Sequence, residues 1–466
     1  MTTLNAPVGT SRTAHAAGEA SLRVALLAPY AGTNLGDAAI QEAAIQNIRR
    51  RVSGVVITGI TLNPQVTAAR HGIPCFPLES RWLEYVASLD SGDHGSARGA
   101  ARPAPMSLGM RVRDLAKRVP IVGPVLRAVA EVARASRREA THWARGFRLA
   151  RGLDAIIVAG SGQIDDEWGG AWAHPYALFK WALLTRLAGK QFIVLSVGAS
   201  TLRHRLSRWF VRWALRLACY RSYRDQGTKI MLRDLPFTRD DRCWPDLAFS
   251  LPHATVTRPP RRGSDPVRRV GVSPIAYGHP ELWPTADRPA HERYLEALTD
   301  FVAWLVAQRH QVVLFATGGV DHLIIRDLLG RLAARSAERK SPAEVRVAKD
   351  DSLEELLVEL EGVDAVVASR LHGLVLAHVL GKPAIAVSFD RKVGAHMQEI
   401  GMGPYCLNLQ TVDRTKLAEA FTRLEREAVD VRAALDDARR TMREALDAQY
   451  DAVIPVMMPG HARGKA

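Results

Sequence analysis

The stretch "SRLHG", residues 369–373, sets Arg370 and His372 two apart beside Gly373, directly after the apolar run "DAVVAS". Arginine offers a planar fork for a carboxylate or phosphate, and histidine moves protons near neutral pH. Lys392 follows the next apolar run, "PAIAVSF", and could reach the same place. Cations clustered after two successive apolar runs suit an anionic ligand. A second stretch, "YAGTNLGDAAIQEAAIQNI" (30–48), puts Asn34, Gly36 and Asp37 where a loop opens a helix. Asp37 could cap that helix or meet a ligand, and the spacing is not the GxGxxG of dinucleotide binders. A third, "VAGSGQIDDEWGG" (158–170), runs from an apolar segment into Gly160 and Gly162 and then Asp165, Asp166 and Glu167. Those acids could bind sugar hydroxyls, act as base or cap the next helix. A fourth, "YRSYRDQGT", offers Arg224 and Asp225, either a structural ion pair or, if Arg224 faces a cleft, an anion clamp.

These residues need strand ends to hold them. Apolar, β-branched runs recur at 22–29, 55–60, 155–160 and 191–198, with helical patterns between them. After "PHATVTRPPRRGSDP" (252–266) the alternation restarts, at 268–274, 311–317, 345–349, 364–369 and 383–389. Strands alternating with helices imply parallel sheets. Open α/β sheets keep ligands at the carboxyl ends of their strands. The expected layout is a tail over 1–21, one domain over 22–255, a second over 256–410 and a helical tail over 411–466. The expected fold class is α/β, with two Rossmann-like domains facing a cleft.

The chain has 466 residues, 47% hydrophobic and 24% charged, the composition of a globular protein. Its formal net charge is +15, which favours acidic partners. Four scattered cysteines form no CxxC, so neither a zinc site nor a disulfide framework is suggested. The first twenty residues lack the apolar core of a secretory signal, and no run is long enough to span a membrane. Residues 85–150 hold no good strand. Within 101–150 there are eleven Lys/Arg against three acids. Such a segment is either a helical insertion with a solvated face or a basic helix for an anionic membrane surface.

In this order the motifs resemble the polysaccharide pyruvyl transferase family. The matching pieces are Asn34-Leu35-Gly36-Asp37, Ala159-Gly160-Ser161-Gly162, Ser196-Val197-Gly198, Arg224-Asp225, Ser369-Arg370-Leu371-His372-Gly373, Gly381-Lys382-Pro383 and Lys392. The glycine loop has Ala159 and Ser161 where members often have glycine, and "RDQGT" lacks the usual serine. The resemblance implies an architecture like glycosyltransferase-B. It also implies phosphoenolpyruvate as donor, no cofactor or metal, and a pyruvate ketal built on a lipid-linked or nucleotide-linked sugar for exopolysaccharide or cell-surface glycan. On that reading His372 and Arg370 are catalytic. Arg370, Arg224, Lys392, Ser369 and Gly373 bind the donor. Asn34, Gly36, Asp37, Gly160, Gly162 and Asp165 bind the acceptor or shape the loops. The expected location is the cytoplasm, with peripheral contact at the inner membrane face. A nucleotide-sugar glycosyltransferase is the main rival, but Ala377-His378-Val379-Leu380 holds no acid for a donor ribose. A non-catalytic nucleic-acid binder is the second rival, and no aromatic series or known motif accompanies the charge.

Overall fold

A computed structural model describes residues 21–28, 32–80, 122–167, 169–235, 241–252, 267–283, 285–336 and 345–458. Much of the basic insertion and the 253–266 break therefore lie outside the described residues.

The apolar runs form two wholly parallel sheets. The first contains β1 (Arg23–Ala28), β2 (Val56–Thr61), β3 (Cys75–Pro77), β4 (Ala155–Ala159), β5 (Gln191–Val197), β6 (Tyr220–Tyr223) and β7 (Arg242–Cys243), in the order β3-β2-β1-β4-β5-β6-β7. The second contains β8 (Arg269–Ser273), β9 (Gln311–Leu314), β10 (Val345–Val347), β11 (Ala365–Ala368), β12 (Ala384–Ser388) and β13 (Cys406–Asn408), in the order β10-β9-β8-β11-β12-β13. Runs such as "AIIVA" and "AVVA" are buried along their whole length, as strands covered on both faces must be. Each sheet reverses its winding once, between β1 and β4 and between β8 and β11. At such a switch point the flanking loops part and leave a crevice.

Helix α1 (Leu35–Arg51) leaves β1 and is buried on most sides between the two sheets. Its small side chains, Ala38, Ala39, Ala43 and Ala44, allow that close approach and are fully buried. Helices α2 (Pro64–His71), α3 (Val122–Arg151), α4 (His174–Leu187), α5 (Arg205–Leu217) and α6 (Gln226–Leu232) complete the first unit. The second has α7 (Arg288–Ala307), α8 (Asp321–Ser336), α9 (Leu353–Glu361), α10 (Leu371–Val379), α11 (Arg391–Glu399) and α12 (Arg414–Arg426). One apolar core runs continuously from α1 and residues 247–251 through the second sheet. A separate one lies under α3, α4 and α5. The last helix, α13 (Ala428–Met457), returns to the first unit. It buries Leu446, Tyr450, Val453 and Met457, and its Gln449 Nε2 donates to Ser222 Oγ on β6 at 2.8 Å.

Candidate functional site

The switch points of the two sheets face each other, and the motif residues collect there. Asn34 caps α1: its Oδ1 accepts from the N–H of Gly36 at 3.0 Å and of Asp37 at 3.4 Å. Asn34 also forms an isolated bridge to Gly318, and Leu35 N–H donates to Thr317 O at 2.9 Å. The start of α1 is thus stitched to the loop after β9 in the other unit. Gly36 carries the imidazole of His372 against its backbone; a Cβ there would stand 2.0 Å from His372 Cγ. Only glycine permits that approach.

Asp37 is buried and accepts from Ser161 Oγ at 2.6 Å. Burial pushes its carboxyl above the usual range, while His372, Ser161 and Arg224 pull the other way. The glycine loop after β4 turns sharply, with φ of 51° at Gly160 and 62° at Ser161. A serine held there is strained, and its hydroxyl is thereby aimed at Asp37. On the far side of the loop, the open face of Gly162 lies 3.8 Å from Lys392 Nζ. Lys392 leaves the end of β12 and donates to Ser200 Oγ at 2.5 Å, so it crosses between the units.

Arg224, at the end of β6, does not take its sequence neighbour Asp225 as its main partner. Its Nη1 donates to Asp246 Oδ2 at 3.0 Å, while Asp225 caps α6 by accepting from Thr228 N–H at 2.6 Å. The Arg224 fork lies on Gly198, where a Cβ would meet Nη2 at 2.6 Å. Burial would raise the Asp246 carboxyl, but Arg224 and His372 hold it below the usual range. His372 Nε2 lies 4.0 Å from Asp246 Oδ2, is buried, and has no hydrogen-bond partner among the described residues. Burial pushes the imidazole below its ordinary value despite the two aspartates, so it is neutral at neutral pH.

Arg370 caps the start of α10 and gives its fork to Asp321: Nη2 donates to Oδ1 at 3.0 Å and Nε to Oδ2. Asp321 is fully buried, so the pair fixes Arg370 while its side chain stays 28% exposed toward the cleft. Ser369 sits differently. It is buried, its N–H donates to Ser273 O at 3.1 Å and its hydroxyl shares a 2.8 Å bond with Tyr294, so in this arrangement it braces the loop. Gly373 opens α10 and packs close under Ala368. Asp165 is half-buried and accepts from Glu167 N–H at 2.6 Å, while its neighbour Asp166 accepts from the N–H groups of Arg203 and His204 just before α5. A cavity of about 20 Å³, the size of one water, lies among Arg224, Asp246, Leu371, Lys392 and His396. Among the described residues no group of three histidines, cysteines or acids is placed to hold a metal.

Sequence reasoning found the cations but missed their carboxylate partners. Neither Asp246 nor Asp321 stands near its arginine in the sequence. Each is identified by strand order, which sets β6 beside β7 and β9 near β11 only through the fold.

The architecture recurs in solved structures. Residues over 94% of the chain superpose on 99% of the glycosyltransferase SnogD of Streptomyces nogalater, with a TM-score of 0.51 and 15% identity. A protein assigned as UDP-N-acetylglucosamine 2-epimerase from Listeria monocytogenes gives 0.52 at 10% identity, over 96% of this chain and 98% of that one. A glycosyltransferase of Rickettsia africae gives 0.50 at 10% identity, over 95% and 99%. At such identity the likeness speaks for the fold alone, the two-domain glycosyltransferase-B type expected from the sequence. No curated protein matches the chain in sequence. Residues 34–391, which span every motif above apart from Lys392, match the family described as polysaccharide pyruvyl transferase. The chain is a transferase and belongs to the polysaccharide pyruvyl transferase family.

Proposed function

We propose that the enzyme takes phosphoenolpyruvate as donor and closes a pyruvate ketal across two hydroxyls of a cell-surface glycan precursor, releasing phosphate. The observation that carries this reading is His372: buried, neutral, without a hydrogen-bond partner at Nε2 among the described residues, and ringed by cations from both units. The donor's phosphate and carboxylate together bring about three negative charges at neutral pH. Beside the imidazole they raise its pKa, so His372 gains a proton when the donor arrives. It then gives that proton to the vinyl CH2. The neighbouring carbon becomes electron-poor, a sugar hydroxyl oxygen bonds to it and loses its own proton to the neutral imidazole. The carbon–oxygen bond to phosphate breaks with its electron pair, and the second hydroxyl closes the ring, its proton passing to the departing phosphate. Arg224 and Lys392 hold the donor's anionic groups, and Arg370, steadied by Asp321, completes the anion site. Asn34, Asp37, Gly160, Gly162 and Asp165 shape the acceptor side. The donor is a cytosolic metabolite, so the reaction belongs in the cytoplasm.

The test is phosphate release from phosphoenolpyruvate with a panel of soluble and lipid-linked galactosides, glucosides and N-acetylmannosaminides. Acceptor-dependent release in the wild type, lost in His372→Ala and Arg370→Ala, is expected. No release with any acceptor, together with thermal stabilisation by a nucleotide sugar but not by phosphoenolpyruvate, would overturn the reading in favour of glycosyl transfer.

A further inference from the structure

The flank of the first unit formed by α3, α4 and α5 has a composition that a solvated surface does not need. Helix α5, "RLSRWFVRWALRL", buries Phe210, Val211, Ala214 and Leu215 on one side. On its other side Leu206, Trp209 and Trp213 are exposed, with Trp209 at 46% and Trp213 at 39%. Trp172, 61% exposed, joins them through Phe210: the ring centroids of Trp172 and Phe210 are 5.4 Å apart, those of Phe210 and Trp209 5.4 Å, and those of Trp209 and Trp213 6.2 Å. Among the described residues every exposed tryptophan lies on this ridge.

Charge on the helices of this flank is strongly biased to one sign. Among the described side chains of α3, α4 and α5 the only carboxylate is Glu139, and Lys180 Nζ binds it at 2.9 Å. Against it stand Arg134, Arg137, Arg138, Arg145, Arg148 and Arg151 on α3, Arg186 on α4, and Arg205, Arg208, Arg212 and Arg216 on α5. Arg205, Arg208 and Arg216 are exposed between the tryptophans, and Arg216 lies over the Trp213 ring at 5.2 Å. Tryptophan and arginine side by side on a helix that itself holds no acid, as on α5, is the pattern of a helix lying in the headgroup layer of an anionic bilayer. No described helix is long and apolar enough to cross one.

We propose that this flank docks the enzyme on an anionic membrane surface, with α5 lying in the interface. The sequence offered 101–150 for such contact, of which 101–121 lie outside the described residues; the present proposal rests on α5 and Trp172. The flank is also tied to the cleft. Asp166, four residues after Gly162, holds the backbone N–H groups of Arg203 and His204 that lead into α5, at 3.1 and 2.9 Å. A surface-bound enzyme would thus hold its glycine loop close to a sugar displayed on lipid. The inference does not rest on the choice of donor, because membrane binding is read without turnover.

The experiment is co-sedimentation with phosphatidylcholine vesicles carrying 0 or about 30% phosphatidylglycerol, in low and high salt, alongside tryptophan fluorescence. Wild type is expected to bind only the anionic vesicles, with a blue shift and loss of binding in high salt. Replacing Arg205, Arg208 and Arg216 together by Gln should weaken that binding about 100-fold, from about fivefold per arginine. The double variant Trp209→Ala/Trp213→Ala should lose the blue shift, with far-UV circular dichroism confirming that both variants fold. Absence of binding to anionic vesicles would overturn the proposal. So would equal binding by folded variants, or light scattering that shows the face buried between two copies of the chain in solution.

Discussion

Gly36→Ala is the change on which helix energetics and the packed site give opposite predictions. In an open helical position, alanine in place of glycine stabilises by about 1 kcal/mol. Gly330, exposed within α8 with nothing within 4 Å of its would-be side chain, is such a position. Gly330→Ala should raise Tm by about 1 °C. At Gly36 the same methyl would stand 2.0 Å from His372 Cγ and 2.2 Å from Nδ1. Normal carbon contacts begin near 3.5 Å, so ring and backbone must part by about 1.5 Å. Neither side yields easily. The imidazole is rigid and buried, and the first turn of α1 is pinned by the Asn34 cap and by the hydrogen bond from Leu35 to Thr317.

Overpacking of this kind costs about 1–3 kcal/mol, against the propensity gain of about 1. The expected outcome is a net loss of about 1 kcal/mol and a Tm drop of about 1 °C. Activity should suffer more, since a displacement of about 1 Å at a reacting group can cost about 100-fold. The assay pairs thermal unfolding of Gly36→Ala and Gly330→Ala with acceptor-dependent phosphate release. A Gly36→Ala protein as stable as Gly330→Ala, and within about threefold of wild-type kcat, would refute the placement of His372 on the α1 backbone.

Three further outcomes follow from other contacts. His396 is buried, its Nε2 is 2.9 Å from His378 Nδ1, and burial pushes its imidazole down to about 4, with His378 also held low. The unfolded chain takes up protons below about pH 6.5 that the folded chain refuses, so this stability is full above that pH and lost as pH falls toward 4. From pH 7 to pH 5 His396 alone contributes a loss of about 2 kcal/mol in urea unfolding, and His396→Gln should flatten the slope by that amount. Asp321→Ala strips the fully buried partner from Arg370 and should cost about 3 kcal/mol in thermal or urea unfolding, with donor KM raised more than kcat is lowered. Lys392→Met keeps the stem of the side chain but removes the ammonium that reaches Ser200; donor KM should rise at least tenfold with Tm nearly unchanged, and equal KM values would remove Lys392 from the anion site.

The strands were legible because parallel strands buried on both faces must be apolar throughout, and runs such as "AIIVA", "FIVLSV" and "AVVA" are. Three of the four shortest strands, β3, β7 and β13, have two or three residues each and offer no period to read. Motif residues were legible for a related reason: glycine, arginine and histidine stand out where an apolar run stops. Their partners were not, because a carboxylate's role depends on what it faces. Asp225 sits beside Arg224 in sequence but caps a helix, whereas Asp246 takes the guanidinium because β7 pairs with β6.

That exchange of partners explains how so much charge stays buried where the two units meet. Arg224 and Asp246 are 7% and 4% exposed, a pairing that yields little net stability over an apolar pair of the same size. What it supplies is position. Gly198 under the guanidinium and the Ala248 N–H on the second Asp246 oxygen leave each group one orientation. His372 rests 4.0 Å beyond that carboxylate, and its other face is fixed by α1 from the opposite side of the cleft. An apolar pair would pack equally well at this edge of the first unit, but it would place no carboxylate beside the imidazole. Asp246 and Asp37 pull the imidazole toward its protonated form, burial outweighs them, and His372 stays unprotonated until further negative charge enters. The buried carboxylates are therefore better understood as holding one histidine near its protonation threshold against the pull of burial than as fastening the fold.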